Sequence, residues 1–306
     1  MNKVALIIIY NHQYNKNIEV LEEIYRERFS NIFHLVPFYN GEKENVIPVY
    51  ENSFYFQGYV AQAFKSFFNQ EFEHYFFVAD DLILNPIINE RNYDKHLKLS
   101  NNACFLPELL TFHEIKDWWE RTEEAFRYRI RVGGVEAENQ IPSYELAIQQ
   151  FSNHGLKIQS LRFNQVYNKM NLPKSLTYIQ IIEYIKYTIR SFENKKKLYD
   201  LSYPLVGGYS DIFVVSAENI KLFCHYCGVF AATNLFAEVG LPTSMVLSAR
   251  KIITEKDLDL KGKALWTEDD YQILEKYKHN LNTLLEDFLW ENLYLHPIKL
   301  SKWKKS

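Results

Sequence analysis

Residues 74–86 read HYFFVADDLILNP, and the fold turns on them. The apolar run 75–79 is the length of one buried strand, and it ends abruptly in two adjacent carboxylates, Asp80 and Asp81. Burying a carboxylate is costly unless it is paired, hydrogen-bonded or bound to a metal. The pair is therefore either an exposed strand end capped by Asp or the floor of a site.

Outward from that stretch, strands and helices alternate. Residues 4–10, VALIIIY, have the look of a strand buried on both faces of a parallel sheet, and the run stops at Asn11-His12. Ile18, Leu21, Tyr25 and Phe29 then recur at helical spacing. A second strand fits 32–38, before Asn40-Gly41, and Val60, Phe64 and Phe67 mark a helix that delivers the chain to 75–79. The pattern predicts an α/β fold with a mostly parallel sheet flanked by helices. Ligands bind such sheets beyond the carboxyl ends of the strands, so Asn11-His12 and Asp80-Asp81 are expected to face one cleft.

From 101 to 200 the pattern is helical. Ile115, Trp118, Trp119 and Phe126 space one face, Tyr144, Ala147, Ile148 and Phe151 a second, and Ile181, Ile182, Ile185, Ile189 and Phe192 a third. This reads as an insertion that adds a wall or lid to the cleft, with Lys195-Lys196-Lys197 as a solvated helix end. The sheet pattern resumes at 205–215, LVGGYSDIFVV, where Gly207-Gly208 permit a turn or a close approach of backbone to ligand. Ser216 is the expected N-cap of a helix with Ile220, Phe223, Cys224 and Cys227 on its apolar face, which makes that cysteine pair core rather than half a metal site. Glu238 stands alone among apolar neighbours before a Gly-Leu-Pro turn, either salt-bridged or a base with a raised pKa. An extended stretch to Ile253 and one long helix follow, the helix capped by Thr267 and Asp270 and lined by Leu274, Leu281, Leu284 and Phe288.

Composition narrows the function classes. Hydrophobic residues at 47% and charged residues at 24% exclude a disordered chain, and 16% aromatics with only 10 Gly favour a helix-rich, aromatic-packed core. A net charge of −3 argues against a general nucleic-acid binder. No stretch approaches the ~20 apolar residues of a membrane span. The first apolar run reads as a strand rather than a signal peptide, and three cysteines suit a reducing compartment, so a cytoplasmic protein is expected. Neither Gly-x-x-x-x-Gly-Lys nor Gly-x-Gly-x-x-Gly occurs, which removes support for P-loop hydrolysis and dinucleotide redox chemistry. Adjacent carboxylates at a strand end suit Mg²⁺ or Mn²⁺, which prefer oxygen ligands and complete their shell with phosphates and water.

The order of the pieces resembles the GT-A-type nucleotide-sugar glycosyltransferases: a strand ending in Tyr10-Asn11, helix, strand, helix, a hydrophobic strand ending in Asp80-Asp81, a glycine-bearing segment, a carboxylate and a late histidine. The resemblance implies a GT-A-like (Rossmann-like) sheet with a helical insertion in a single catalytic domain. Residues 1–100 would bind the nucleotide sugar, 101–200 would lie on the acceptor side, and 201–306 would complete the core with a C-terminal helix and basic tail. An Asp-x-Asp motif in that superfamily holds the metal and the donor's ribose and diphosphate. Here its first position is Ala79. That departure leaves Asp81 as the metal ligand and Asp80 as a second ligand or ribose contact, with Mn²⁺ or Mg²⁺ as the cation and a metal-independent mechanism open.

The resemblance maps the late histidine, on metal or diphosphate, onto His296, which by itself reads equally as a surface histidine. Tyr10, Asn11 and His12 fall where base and ribose bind, Tyr10 stacking on uracil or simply ending its strand. Gln57 is a nucleoside contact or an ordinary helix start. For an inverting transfer the base is Glu238 first and Asp211 second, while a retaining transfer needs none. Arg250 and Lys251 are a solvated pair or diphosphate partners. The tail residues Lys299, Lys302, Trp303, Lys304 and Lys305 are a frayed basic end or a weak peripheral tether to anionic lipid at the inner face of the membrane. The expected function is transfer of a sugar from a UDP-linked donor to a saccharide or lipid-linked glycan acceptor in capsule, O-antigen or lipooligosaccharide synthesis, without nucleic acid as a partner. The other reading is a non-catalytic glycan-binding or scaffold protein on a degenerate transferase fold.

Overall fold

The apolar run at the start of the chain forms strand β1 (Val4–Ile9), and the run before the two aspartates forms β4 (His74–Ala79), both buried along their whole length. Between them lie β2 (Ile32–Pro37) and β3 (Val46–Val49). The later strands are β5 (Ile83–Leu84), β6 (Ala103–Phe105), β7 (Leu161–Arg162), β8 (Leu198–Tyr199), β9 (Ile212–Ser216), β10 (Lys251–Ile253), β11 (Lys261–Ala264) and β12 (Asn292–His296). The helices are α1 (Asn15–Tyr25), α2 (Gln57–Phe67), α3 (Tyr93–His96), α4 (Glu120–Arg127), α5 (Tyr144–Asn153), α6 (Phe163–Tyr167), α7 (Tyr178–Glu193), α8 (Ile220–Ala232), α9 (Ala237–Ser248), α10 (Glu268–Glu275) and α11 (Leu281–Glu286). The computed structural model describes residues 4–116, 119–167 and 177–304; Trp118 and Lys305 lie outside them.

Seven strands make one mostly parallel sheet in the order β3-β2-β1-β4-β9-β6-β10, in which β9 alone runs antiparallel to its neighbours. A three-stranded sheet, β11-β12-β5, stands beside it, and β7 and β8 form a two-stranded ribbon. The fold class is α/β with helices on both faces of the sheet. Side chains alternate between faces along a strand, so Leu6 and Ile8 meet Ile18, Leu21 and Tyr25 of α1 while Ala5 and Ile7 meet Tyr59, Val60 and Phe67 of α2. β4 divides the same way, Phe76 and Val78 to one layer and Tyr75 and Phe77 to the other. From β1 the chain first builds outward to β2 and β3, then returns to lay β4 on the opposite side. This reversal opens a crevice at the carboxyl ends of β1 and β4, the place where such sheets take ligands.

The helical region packs as its own apolar cluster, with Ala147, Phe151 and Leu161 against Phe230 of α8 and Val239 of α9. Within 101–200, β6 nevertheless belongs to the main sheet. Four local expectations are corrected. The third apolar helix face, now α7, has no buried residue. The long C-terminal helix is two helices, because Lys278 and His279 adopt positive φ between α10 and α11; the Thr267 and Asp270 capping box does start α10. Ser216 ends β9 and accepts a 2.6 Å hydrogen bond from Asn219 Nδ2, and it is Asn219 that precedes α8. Glu238 lies in the first turn of α9, which runs straight through Gly240 and Pro242 to Ser248, so no Gly-Leu-Pro turn or long extended stretch follows it. Buried packing of Val239, Leu241 and Met245 overrides the helix-breaking signal there. Among the described residues no helix is long and apolar enough to cross a membrane.

Candidate active site

Strand register assembles the cluster at the crevice. β9 pairs with β4 through Val78 and Ile212, and one rung further the Ala79 N–H donates to the Asp211 carbonyl at 2.8 Å. Asp211 therefore stands directly across from Ala79, the residue before the two aspartates. On the other side, β12 pairs with β5 through Leu295 and Ile83, and the Ile298 N–H donates to the Asp81 carbonyl at 2.6 Å. Together these place His296 between the two acids, its Nε2 3.0 Å from Asp81 Oδ1 and 4.0 Å from Asp211 Oδ1. The other ring nitrogen, Nδ1, meets the Tyr209 hydroxyl at 2.6 Å, and Tyr209 stacks on Tyr294 with centroids 5.8 Å apart.

The charges in this cluster are interdependent. Burial works against a charged imidazole at His296, but contact with Asp81 and the field of Asp211 outweigh it and raise its pKa. As imidazolium both ring nitrogens donate, Nδ1–H to Tyr209 and Nε2–H toward Asp81. Asp211 is raised by burial, with His296 pulling the other way and Asp81 adding to the rise. Asp81 Oδ1 is shielded from water and has no aligned hydrogen-bond donor despite its short approach to His296.

Asp80 behaves differently from its neighbour. It is 3% exposed and accepts hydrogen bonds from Asn17 Nδ2 at 2.9 Å and from the Asn11 backbone N–H. Burial, and then the charge on Asp81, push its pKa up to about 7. Asp80 thus ties the β1–α1 loop to the end of β4, whereas Asp81 faces the cluster.

Glu238 closes the far side. Its pKa is raised by burial, opposed by Arg121 and reinforced by Asp211, and its Oε2 lies 3.6 Å from Arg121 Nε. The Arg121 guanidinium in turn sits over the Phe236 ring at 3.5 Å. Pro242 explains how Glu238 is held. Lacking an N–H, it leaves the carbonyl four residues back without its helical partner, and that carbonyl, Glu238 O, accepts from the Gly208 N–H at 3.0 Å. A Cβ on Gly208 would clash with the Glu108 carbonyl oxygen. The glycine allows a close approach of backbone to backbone. The Gly-Leu-Pro sequence, legible only as a turn signal, is in fact the device that joins the Tyr209–Asp211 loop to Glu238.

The remaining expected contacts are placed as follows. Tyr10 is sealed in the core with its hydroxyl 2.8 Å from His34 Nδ1, so its ring offers no face to a base. His34 is held neutral, since burial lowers its pKa to about 4. Asn11 is half-buried and His12 is exposed, edge-on to Tyr14 at 5.5 Å. Gln57 is fully buried, its Nε2 donating to the Leu235 carbonyl at 2.6 Å, and so it fastens α2 to the α8–α9 corner. Arg250 pairs with Glu218 at 3.2 Å, and Lys251 is exposed on β10. The C-terminal segment is docked rather than frayed: Trp303 packs on Tyr277 and His279, and the Lys304 N–H donates to the His279 carbonyl at 2.7 Å.

Two aromatic residues escape a reading of the sequence alone. Phe38 and Tyr50, at the carboxyl ends of β2 and β3, are 59% and 64% exposed and meet edge to face at 5.9 Å. Phe38 holds a φ of 55°, an outlier for a bulky residue and the kind of strain found at ligand sites. The faint signal for them is an aromatic just past each apolar run.

Among the described residues no group of three or more His, Cys, Asp or Glu side chains is placed to hold a metal ion. Two of them, Asp81 and His296, would suit a hard cation that takes one or two protein ligands and fills its shell from substrate phosphates and water, with His296 giving up the Nε2 proton that now points at Asp81.

No protein-family model matches the chain, and no curated protein matches it. Among solved structures, the crystal structure of mannose-1-phosphate geranyltransferase from Thermus thermophilus aligns over 84% of this chain and 70% of that chain, at 9% identity and a TM-score of 0.26. A likeness of that size carries no inference about the site, which rests on its own geometry.

Proposed function

We propose that the protein is a GT-A-type glycosyltransferase that moves a sugar from a nucleotide donor, UDP-linked, to a saccharide or lipid-linked glycan of a cell-surface polymer. The observation that carries this reading is the meeting of Asp81, Asp211 and His296 at the carboxyl ends of the central strands. Asp211 faces Ala79 and so restores from the neighbouring strand the carboxylate that the Asp-x-Asp pattern lacks. Asp81 and His296 would hold Mn²⁺ or Mg²⁺, whose chemistry there is to neutralise the charge of a leaving diphosphate.

The chain's own residues do the rest. Asp80 fixes the loop carrying Asn11 and His12 against the donor's ribose, and Phe38 with Tyr50 takes over from Tyr10 as the apolar surface for the base. Glu238 accepts the proton of the acceptor hydroxyl as that oxygen bonds to the anomeric carbon and the donor's C–O bond breaks. Burial raises its affinity for that proton, and Arg121 holds it in place.

The test is a thermal-shift and calorimetric screen of UDP-sugars with and without Mn²⁺, alongside Asp81→Ala. Saturating donor is expected to add about 2.7 kcal/mol of stability at a hundredfold excess over its Kd, and Asp81→Ala to lose the metal-dependent part. Absence of binding by any nucleotide sugar overturns the proposal. One observation favours a metal-free variant of the same reading: His296 lies between Asp81 and Asp211, and their charges favour its protonated form. Donor binding that survives EDTA but not His296→Ala selects it. Binding without slow donor hydrolysis selects the non-catalytic alternative.

A further inference from the structure

Helix α7 is fastened by one side and bare on the other. Tyr187 meets the Phe163 ring at 5.7 Å. On a helix of 3.6 residues per turn, Tyr178, Ile181, Ile185, Ile189 and Phe192 form a single stripe roughly opposite Tyr187. These five are 78%, 40%, 51%, 53% and 82% exposed, so the apolar side of an amphipathic helix faces water over about 21 Å. A contiguous exposed apolar surface of this kind marks an interaction site rather than scattered surface residues. The helix is already formed, since the Thr177 and Gln180 capping box satisfies its first turn, and a partner need not supply the cost of ordering it.

Charge identifies the partner. Lys186, Arg190 and Lys195-Lys196-Lys197 accompany the stripe against only Glu183 and Glu193, a local excess of three positive charges in a chain whose net charge is −3. None of these five cations has an ion-pair partner among the described residues; Lys197 lies over the Tyr199 ring at 5.2 Å. Two copies of this face brought together would set the cations of one against those of the other. An anionic surface would neutralise them.

We propose that α7 lies flat in the surface of a bilayer containing anionic lipid, with the isoleucine stripe at the acyl boundary and the cations among the headgroup phosphates. Contact with lipid is thereby assigned to α7 and not to the docked C-terminal tail, and the inference holds independently of the transferase reading.

Co-sedimentation of the full chain with phosphatidylcholine vesicles, with and without phosphatidylglycerol, tests it. Binding is expected only to the anionic vesicles and to weaken as salt rises from about 0.1 to 0.5 M, where the Debye length shrinks roughly twofold. Ile185→Glu with Ile189→Glu should reduce the bound fraction at least tenfold while the unfolding midpoint stays unchanged, and replacing Lys195, Lys196 and Lys197 by Gln should weaken binding roughly fivefold per charge. The proposal is overturned by failure to bind anionic vesicles, by binding that the stripe variant leaves intact, or by a dimer in solution that Ile185→Glu separates. A fall in the unfolding midpoint of the stripe variant does so as well, because it would mean that the face is already packed.

Discussion

The cleft cluster and α7 break the same rule in opposite directions. In the cleft, Asp80 and His296 are buried and Asp81 and Asp211 half-buried beside them, so titratable groups stand where little water reaches. On α7, Ile185, Ile189 and Phe192 put apolar surface where water is free. Buried polar groups and exposed apolar faces are the informative departures in a folded chain, and the comparison teaches how each is tolerated. Rigid strands and compensating partners hold the charges of the cleft, while the exposed stripe persists because α7 is fastened by its other side. Substitution should therefore be costly in the first region and nearly free in the second.

The sharpest separation is expected in catalysis. Under the proposed transfer, Glu238→Gln should lower kcat by about 10²–10⁴-fold, the usual range for loss of a positioned proton acceptor, with little change in donor affinity. Release of UDP from donor and acceptor measures it, and an unchanged kcat removes Glu238 from the chemistry.

Next comes stability. His296→Ala leaves Asp81 and Asp211 facing each other without their cation and should cost about 3 kcal/mol in denaturant unfolding, part of which Asp81→Asn in the same chain should restore. The sign with pH follows from the raised His296 pKa. Its contribution is fully present below about pH 6.5, the unfolded value, and is lost as pH rises through the folded one. The variant should therefore differ most from the parent near pH 6.

Asp80 shifts stability in the same direction with pH, over a window that opens lower. A carboxyl raised to about 7 gives a folded state that loses stability as pH climbs from the unfolded value near 4 to the folded one. The loss is at most ~1.4 kcal/mol per pH unit over that window. Asp80→Asn keeps an acceptor for Asn17 and removes the titration, so it should gain stability relative to the parent at pH 8 and not at pH 4. Equal pH profiles for the two proteins would place Asp80 in contact with water.

The smallest effect is on α7, where Ile189→Glu should change unfolding stability by no more than about 0.5 kcal/mol. A cost comparable to that of His296→Ala would erase the contrast between the two regions.

Much of the scaffold is legible in the sequence because it follows from periodicity. The β-branched run before Tyr10, the aromatic run before Asp80 and the apolar spacing of α1 and α2 depend only on which side chains repeat at two or at 3.6 residues, and the sheet flanked by helices follows from them. The long C-terminal helix and the Gly-Leu-Pro turn misled for one reason. Local signals compete with packing that no window of sequence contains: a break at Lys278 and His279 in one case, the buried face of α9 in the other.

What the sequence by itself determined is that two carboxylates stand at the end of a buried strand, beside a crevice of an α/β sheet. Which of them is open was decided only by the tertiary structure. Asn17 and the Asn11 amide occupy Asp80, while β12 and β9 bring His296 and Asp211 to Asp81 from distant parts of the chain. Strand register and long-range pairing set those distances, and in a single sequence neither leaves a mark. The orientation of α7 is of the same kind, since periodicity defines an apolar stripe but only the packing of the opposite side says that the stripe faces out.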